Sequence, residues 1–428
     1  MARPNPTAGG GPVSGRTLGA RVAAALLRPP VYFGFLLFLA AAAAVHMLLL
    51  GPQAFPKTQA FPYGLPSEDS WPGPYLHVNN FVIFKRSFAH LLAGRDLYAA
   101  FPADHFDYFK YSPTFAALMA PFAYLPTPVG AVLWNVLNAG VFVAAMRRLP
   151  VLDARAKGLV CWFVVPEFLG ACQNMQTNVL VAGLTILAFA SCERSDDVGA
   201  SLAVVLSFYV KIYGLLAALL FLLYARRRRF VLLAVAWGVL LGLVPLLFVP
   251  PAQLAFLYRS WFRLVQADRL TTVGFSVMAW LRAWFHISPP PLVVVGAGFL
   301  GLVAPLANRR AFGDFGFRLT FLCSLLLWAV VFNHKAESST FVIAMAGAGL
   351  WYFARPRRPW RTALAWLAFA LTSVAYSDLV PPDVKGRFVI PLVLKVVALL
   401  LVWLATVVEE ARWPGPGADT SVSGTVPA

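Results

Sequence analysis

Apolar residues fill this chain in long blocks, and polar residues gather in short interruptions between them. The first block, VYFGFLLFLAAAAAVHMLLL at 31–50, holds no Asp, Glu, Lys or Arg. A helix rises about 1.5 Å per residue and the hydrocarbon layer is about 30 Å thick, so such a block is long enough to cross. It is long for a signal segment and no small-residue cleavage site follows it, so it reads as a retained first helix. Similar blocks predict helices over 230–249, 292–307, 318–332, 339–353, 361–377 and 388–408, with an external segment at 250–290.

The middle of the chain is less regular. The apolar stretch at 111–125 is short, and 128–146 follows it directly. The halves 158–171 and 178–191 are separated by CQNMQTN, and 199–209 and 212–224 flank VKI. Broken apolar segments leave backbone groups unpaired, which lipid tolerates only where protein or a polar cavity takes them up. The pattern predicts an all-α, polytopic bundle of about 11–13 hydrophobic helices, several of them not full spans, with a site built by the middle of the chain.

One long polar interval breaks the rule of short interruptions. Residues 51–112 hold Glu68, Asp69, Asp96, Asp104 and Asp107, five of the eighteen acids, together with Lys57, Lys85, Arg86, Arg95 and Lys110. Within it Phe81, Phe84, Phe88, Leu91 and Leu92 recur at helical spacing from Asn80, with Lys85 and Arg86 between them. This spacing predicts an amphipathic helix lying at the membrane interface.

Composition sharpens the class. The chain is 60% hydrophobic and 12% charged, where soluble domains carry about a quarter charged residues. It cannot cover a water-facing surface. The net charge of +17 raises nucleic acid as a partner. The cations, however, cluster at 225–229, 308–310 and 355–361, between apolar blocks, which is the positive-inside pattern of cytoplasmic loops. Membrane lipids, and no nucleic acid, are therefore the expected surroundings. The same rule gives a multi-pass cell-membrane protein with a cytoplasmic N-terminal tail at 1–30, a spanning domain at 31–408 and a disordered tail at 409–428. It puts 51–112, 333–338 and 378–387 outside.

Cys161, Cys172, Cys192 and Cys323 lie in or beside apolar segments without metal-ligand spacing and read as packing thiols. No metal site is assigned. There is no glycine-rich phosphate loop and no βαβ block, so a nucleotide cofactor or nucleotide-sugar donor has no evident home. Polar residues stand out at three other points. Lys211 sits between LSFYV and IYGLL; an ionisable residue among apolar segments is a functional candidate, and the plainer reading is a lysine snorkelling from a helix end. QNMQTN offers Gln173, Gln176 and Asn178, for which helix–helix hydrogen bonding is the plainer reading. NHKAES offers Asn333, His334, Lys335 and Glu337, or simply a solvated turn.

In this order, AGRDLY, FKYSPTFAALMAPFAYLPTPVGAVLWNVLNA, QTNVLVAGL, VKIYGLL and NHKAES resemble the integral-membrane glycosyltransferases of family 87 over residues 79–349. The resemblance implies a GT-C fold with a large first extracytoplasmic loop. It also implies a polyprenyl-phosphate donor carrying a hexose, mannose-like, and a lipid or glycan acceptor. Two departures stand out. The family's loop opens its helix with an acid and an aromatic, where this chain has Asn80 before Phe81, and an amide cannot take a proton from a hydroxyl. The family's K-x-Y-P reads Lys211-Ile212-Tyr213-Gly214.

The base must then come from elsewhere in the loop. Asp96 reads as a local cap, and Glu68 and Asp69 lie in a proline-rich stretch. Asp107 is nearest to where the chain re-enters the membrane, with Lys110 to keep it ionised, and Asp104 is next. Lys211 and His334 would stabilise the departing phosphate, while Asn80, Lys110, Gln176, Asn178 and Tyr213 would bind sugar or phosphate. The alternative is a carrier of lipid-linked sugars without catalysis.

Overall fold

The computed structural model describes residues 18–53, 75–268 and 274–414. Glu68, Asp69 and most of both tails lie outside them. After α1 (Leu18–Leu26), α2 (Pro29–Leu49) opens with two prolines, whose missing N–H groups would be unpaired in a first turn anyway. A two-residue antiparallel ladder, Pro52–Gln53 with Tyr75–Leu76, precedes α3 (Asn79–Leu92). The chain then forms the short α4 (Pro113–Leu118) and α5 (Ala120–Ala123), followed by α6 (Thr127–Arg148), α7 (Ala154–Gln173), α8 (Asn178–Glu193) and α9 (Asp197–Val210). A 3₁₀ helix, Ile212–Leu223, leads to α10 (Arg227–Leu243).

The segment at 250–290 contains two helices, α11 (Pro251–Asp268) and α12 (Val277–Phe285). Then come α13 (Pro291–Val303), α14 (Phe315–Val331), α15 (Phe341–Phe353), α16 (Pro359–Phe369), α17 (Pro382–Val384) and α18 (Leu394–Ala411). By length and composition α2, α6 and the run Arg227–Leu247 can each cross a membrane, and six shorter apolar helices accompany them. The helix read at 388–408 is broken: Pro382–Val389 meets Leu394–Ala411 at 54°, through Val393 in a left-handed turn.

Nearly every side chain of α8, α14 and α15 is buried, so these form the centre, while α10 buries only Phe230 and Gly242. α8 packs between α6 and α9, α15 between α14 and α7, and α18 lies on α14.

The charged contacts show which helix ends meet. Arg194 Nε donates to Arg148 O at 2.9 Å, Arg226 pairs with Asp197 at 3.0 Å and Arg318 with Glu193 at 2.6 Å. Arg355 and Arg361 share Glu409, and Arg355 Nη2 also donates to Gly316 O at 2.7 Å. All belong to one end of the bundle, here the arginine end. Tyr224 also bonds to Glu193 there, so Ile212–Leu223 runs back alongside α9. Lys211 is consequently the apex of a helical hairpin and points to the opposite end, which answers why VKI interrupts an apolar run.

The apolar face of α3 is covered by protein. Phe81, Phe84, Phe88 and Leu91 are at most 2% exposed, and the helix packs inward on α4, α5 and α6. Phe84 meets Tyr111, Phe115 and Trp134 edge-on at 4.8, 5.3 and 5.6 Å between ring centroids. Lys85 Nζ donates to Leu125 O at 2.7 Å, fastening α3 to the entry of α6. Helical spacing sets which face is apolar; it does not say whether protein or lipid covers that face.

Candidate active site

The turn between α7 and α8 breaks the helix at Met175. Met175 has φ 53, a left-handed value that costs roughly 1–3 kcal/mol for a non-glycine residue. Its carbonyl accepts from Trp134 Nε1 at 3.1 Å, and Asn135 Nδ2 donates to Cys172 O at 2.9 Å, so α6 pins the turn. The turn presents Gln176 and Asn178 to the hairpin apex. Lys211 Nζ donates to Asn178 Oδ1 at 2.8 Å and to Gln176 Oε1 at 3.2 Å. Tyr213 OH donates to Asn178 Oδ1 at 3.4 Å, and the ammonium lies 5.7 Å from the Tyr213 ring centroid. Two amide carbonyls therefore hold this ammonium, and no described carboxylate reaches it within ion-pair distance.

The apex depends on Gly214. A Cβ there would sit 2.3–2.4 Å from Ser207 atoms, backbone included. The Gly214 N–H donates to Lys211 O at 2.7 Å, a bond proline could not make. Gly214→Ala should therefore cost about 1–3 kcal/mol through overpacking, seen as a lower thermal midpoint in detergent. A midpoint equal to the parent's would show that the apex relaxes freely.

The first loop is clamped by an amide. Asn79 Nδ2 donates to Phe106 O at 2.8 Å and Asn79 Oδ1 accepts from Phe106 N at 3.0 Å, as a neighbouring strand would. Asn80 Nδ2 donates to Asn174 O at 2.8 Å, joining the loop to the 174–178 turn. The clamp delivers Asp107, whose φ of 70 is one that aspartate tolerates better than most side chains. Its carboxylate accepts from Tyr108 N at 2.6 Å and from Lys110 Nζ at 3.2–3.3 Å. Ser112 then caps α4 and donates to Tyr209 O at 2.6 Å, with Pro113 in the first turn.

Asp104 turns elsewhere. It pairs with His90 at 2.8 Å and Arg86 at 3.7 Å. Burial alone would raise this carboxyl, but the His90 hydrogen bond and the Arg86 charge outweigh it and hold the group below its ordinary value. Asp96 caps locally, accepting from Tyr98 N at 3.2 Å, and also from Ser260 Oγ at 2.8 Å.

Beside them His105 is 5% exposed, its Nδ1–H donating to Asp107 O at 3.0 Å and its Nε2 without a partner. Burial, with His90 nearby, pushes it down to about 4. The folded loop thus keeps a neutral imidazole while an unfolded one takes a proton below about pH 6.5. Stability is complete above that pH and falls as pH drops towards 4, by up to roughly 3 kcal/mol. Amide exchange over 101–108, corrected for its intrinsic pH dependence, should accelerate between pH 7 and 4.5 and do so less in His105→Phe. Equal acceleration in both proteins would rule His105 out.

The third wall is the turn after α14. Gly274 N donates to His334 O at 2.7 Å and Phe275 N to Ala336 O at 2.8 Å. A Cβ on Gly274 would lie 2.3 Å from Ala336 O, so this approach requires glycine. Glu337 caps the 3₁₀ turn Ser338–Thr340 and accepts from Gln176 Nε2 at 2.6 Å. Behind it Lys395 Nζ donates to Ser338 Oγ at 2.8 Å and to both Glu167 oxygens at 3.1 and 3.0 Å.

These walls enclose a cavity of about 660 Å³ at the end away from the arginines. Asn80, Asp107, Lys110, Gln176, Lys211, Tyr213 and His334 all line it, as do Lys335 and Glu337. Asn178 lies beneath it, fully buried, also donating to Ser339 Oγ at 3.2 Å. Asp104 is not among the lining residues. No group of three metal-ligating side chains occurs among the described residues.

The sequence model of glycosyltransferase family 87 matches residues 109–377, more than half of the chain. The chain belongs to glycosyltransferase family 87. No curated protein matches it. As a family 87 member it is a membrane glycosyltransferase with an all-α body. The matched stretch takes in Lys110, Gln176, Asn178, Lys211, Tyr213 and His334; Asn80, Asp104 and Asp107 precede it.

Sequence reading picked out NHKAES but gave Glu337 no role. Its signal was already there, an acid within a polar turn between apolar runs. It passed over Glu167 and Lys395 altogether, because each is a lone charge in an apolar block and their pairing spans 228 positions.

Proposed function

We propose that this family 87 chain transfers a hexose, mannose-like, from a polyprenyl-phosphate donor to a lipid or glycan acceptor. The reading rests on one observation. The cavity places the Asp107–Lys110 pair and an ammonium held by neutral amides, Lys211, on walls of a single space. A cation held by neutral acceptors is prepared for an anion that arrives from outside the protein. A carboxylate at the rim serves a proton.

In the reaction Asp107 accepts the proton of the acceptor hydroxyl. The freed oxygen attacks C1 of the sugar from the face opposite the phosphate. The C1–O bond to phosphate breaks, its electron pair leaves on the phosphate oxygen, and the anomeric configuration inverts. Lys211 and His334 face that developing charge, and Asn80, Gln176 and Tyr213 supply hydrogen bonds to sugar or phosphate, with Asn178 holding the lysine. The arginine end lies opposite, so the positive-inside rule turns the cavity to the extracytoplasmic face of the cell membrane and leaves the N-terminus cytoplasmic. A GT-C fold with a large first loop suits this arrangement.

Purified protein incubated with labelled polyprenyl-phosphate hexoses and membrane lipids tests the reading. A labelled glycolipid or glycan with inverted linkage supports it. Intact donor carried across proteoliposomes without any product would favour the carrier reading, to which Asn80 in place of an acid lends weight.

A further inference from the structure

The arginine end contains a second cavity, about 580 Å³, on which Arg355, Arg358, Arg361 and Arg412 converge with Trp360 and Trp413. We propose that it binds a phosphate-bearing anion, the headgroup of an anionic membrane lipid.

Orientation of the chain in the bilayer explains exposed arginines such as Arg227 and Arg228, which need only stay on one side. It gives no reason to bury guanidiniums. Yet the side chains of Arg355 and Arg361 are 11% and 8% exposed. One carboxylate, Glu409, serves both, at 3.6 and 2.7 Å, and also accepts from Trp351 Nε1 at 3.1 Å. Arg358 and Arg412 reach no carboxylate among the described residues. The cavity therefore carries excess positive charge from groups that match phosphate oxygens in a planar fork.

A second observation also points to an acceptor. Trp413 is 6% exposed and lines the cavity, and its indole N–H has no hydrogen-bond partner. Arg355 stacks on its ring at 4.1 Å, which holds both donors in place. Leu404 and Val408 of α18 form an apolar wall beside these charges. Free phosphate would leave that wall unused, whereas the glycerol and first methylenes of a lipid would cover it.

The full chain in phosphatidylcholine nanodiscs should bind added phosphatidylglycerol saturably, read by native mass spectrometry across a titration. Removing two arginines in Arg358→Gln/Arg412→Gln should weaken binding about thirtyfold. Arg227→Gln/Arg228→Gln serves as the comparison, and thermal midpoints check that both proteins fold. Binding lost only in the first variant and not displaced by millimolar inorganic phosphate supports a lipid site. Displacement by inorganic phosphate with the same dependence on the variant keeps the site and assigns it a soluble phosphate group. Equal losses in the two variants, or no saturable binding of either probe, would overturn the proposal.

Discussion

Asp107→Asn is expected to lower hexose transfer about a thousandfold, the middle of the range for a positioned general base. The substitution is mild for the fold. Asparagine keeps the oxygen that accepts from Tyr108 N and tolerates the left-handed backbone at φ 70. Lys110 loses this ion pair but is 39% exposed, where such a pair contributes little. The loss should therefore fall on turnover, with the thermal midpoint and donor affinity close to the parent's. Initial rates with labelled donor, followed alongside donor binding, measure both. Wild-type turnover in Asp107→Asn would remove this residue from the reaction, and full loss in Asp104→Asn instead would move the base to the His90 pair.

Lys211→Met should lower turnover about a hundredfold, roughly 2.7 kcal/mol, the scale of one donor to a developing oxyanion. The change also removes the ammonium from the Gln176 and Asn178 carbonyls, which keep only their longer bonds from Asn178 Nδ2 at 3.3 Å and Tyr213 OH at 3.4 Å, and a lost bond to a charged donor costs about 1.5–3 kcal/mol. Stability will fall too, so activity alone does not decide the role. A phosphate-binding lysine must also set the salt and donor dependence. The variant should lose affinity for a polyprenyl phosphate lacking sugar, measured by displacement, at a temperature where it remains folded. Unchanged affinity for that phosphate would make Lys211 a structural post for the 174–178 turn.

The sequence carries the site unevenly, for physical reasons. Breaks in apolar runs at QNMQTN and VKI were legible because lipid punishes unpaired backbone, so a break implies a protein-lined space. Lys211, Gln176 and Asn178 stood out as polar residues at those breaks, with snorkelling or helix–helix hydrogen bonding as the plainer readings, and the structure joins them by hydrogen bonds. Asp107 ranked ahead of Asp104 in the sequence only by nearness to the membrane re-entry and to Lys110. The structure adds a different separation, because α3 brings His90 and Arg86 over Asp104, a matter of helix facing that residue order does not record. The amide at position 80 was legible as a departure from the family. The Asn79–Phe106 clamp one residue earlier, which sets where Asp107 stands, depends on a loop conformation with no local signature.

The buried pair between α7 and α18 sets an order on how the chain is made. Glu167 leaves the ribosome 228 residues before Lys395. During that interval α7 carries an acid that its neighbours cannot neutralise, and breaking such a pair in a finished protein costs about 3–5 kcal/mol. Until then Glu167 can be buried only as a protonated, neutral acid. Only arrival of the last helix supplies the cation, and with it the anchor for Ser338 beside the cavity. A chain cut short before Lys395 thus keeps Glu167 without its cation, a group that burial then drives to take up a proton.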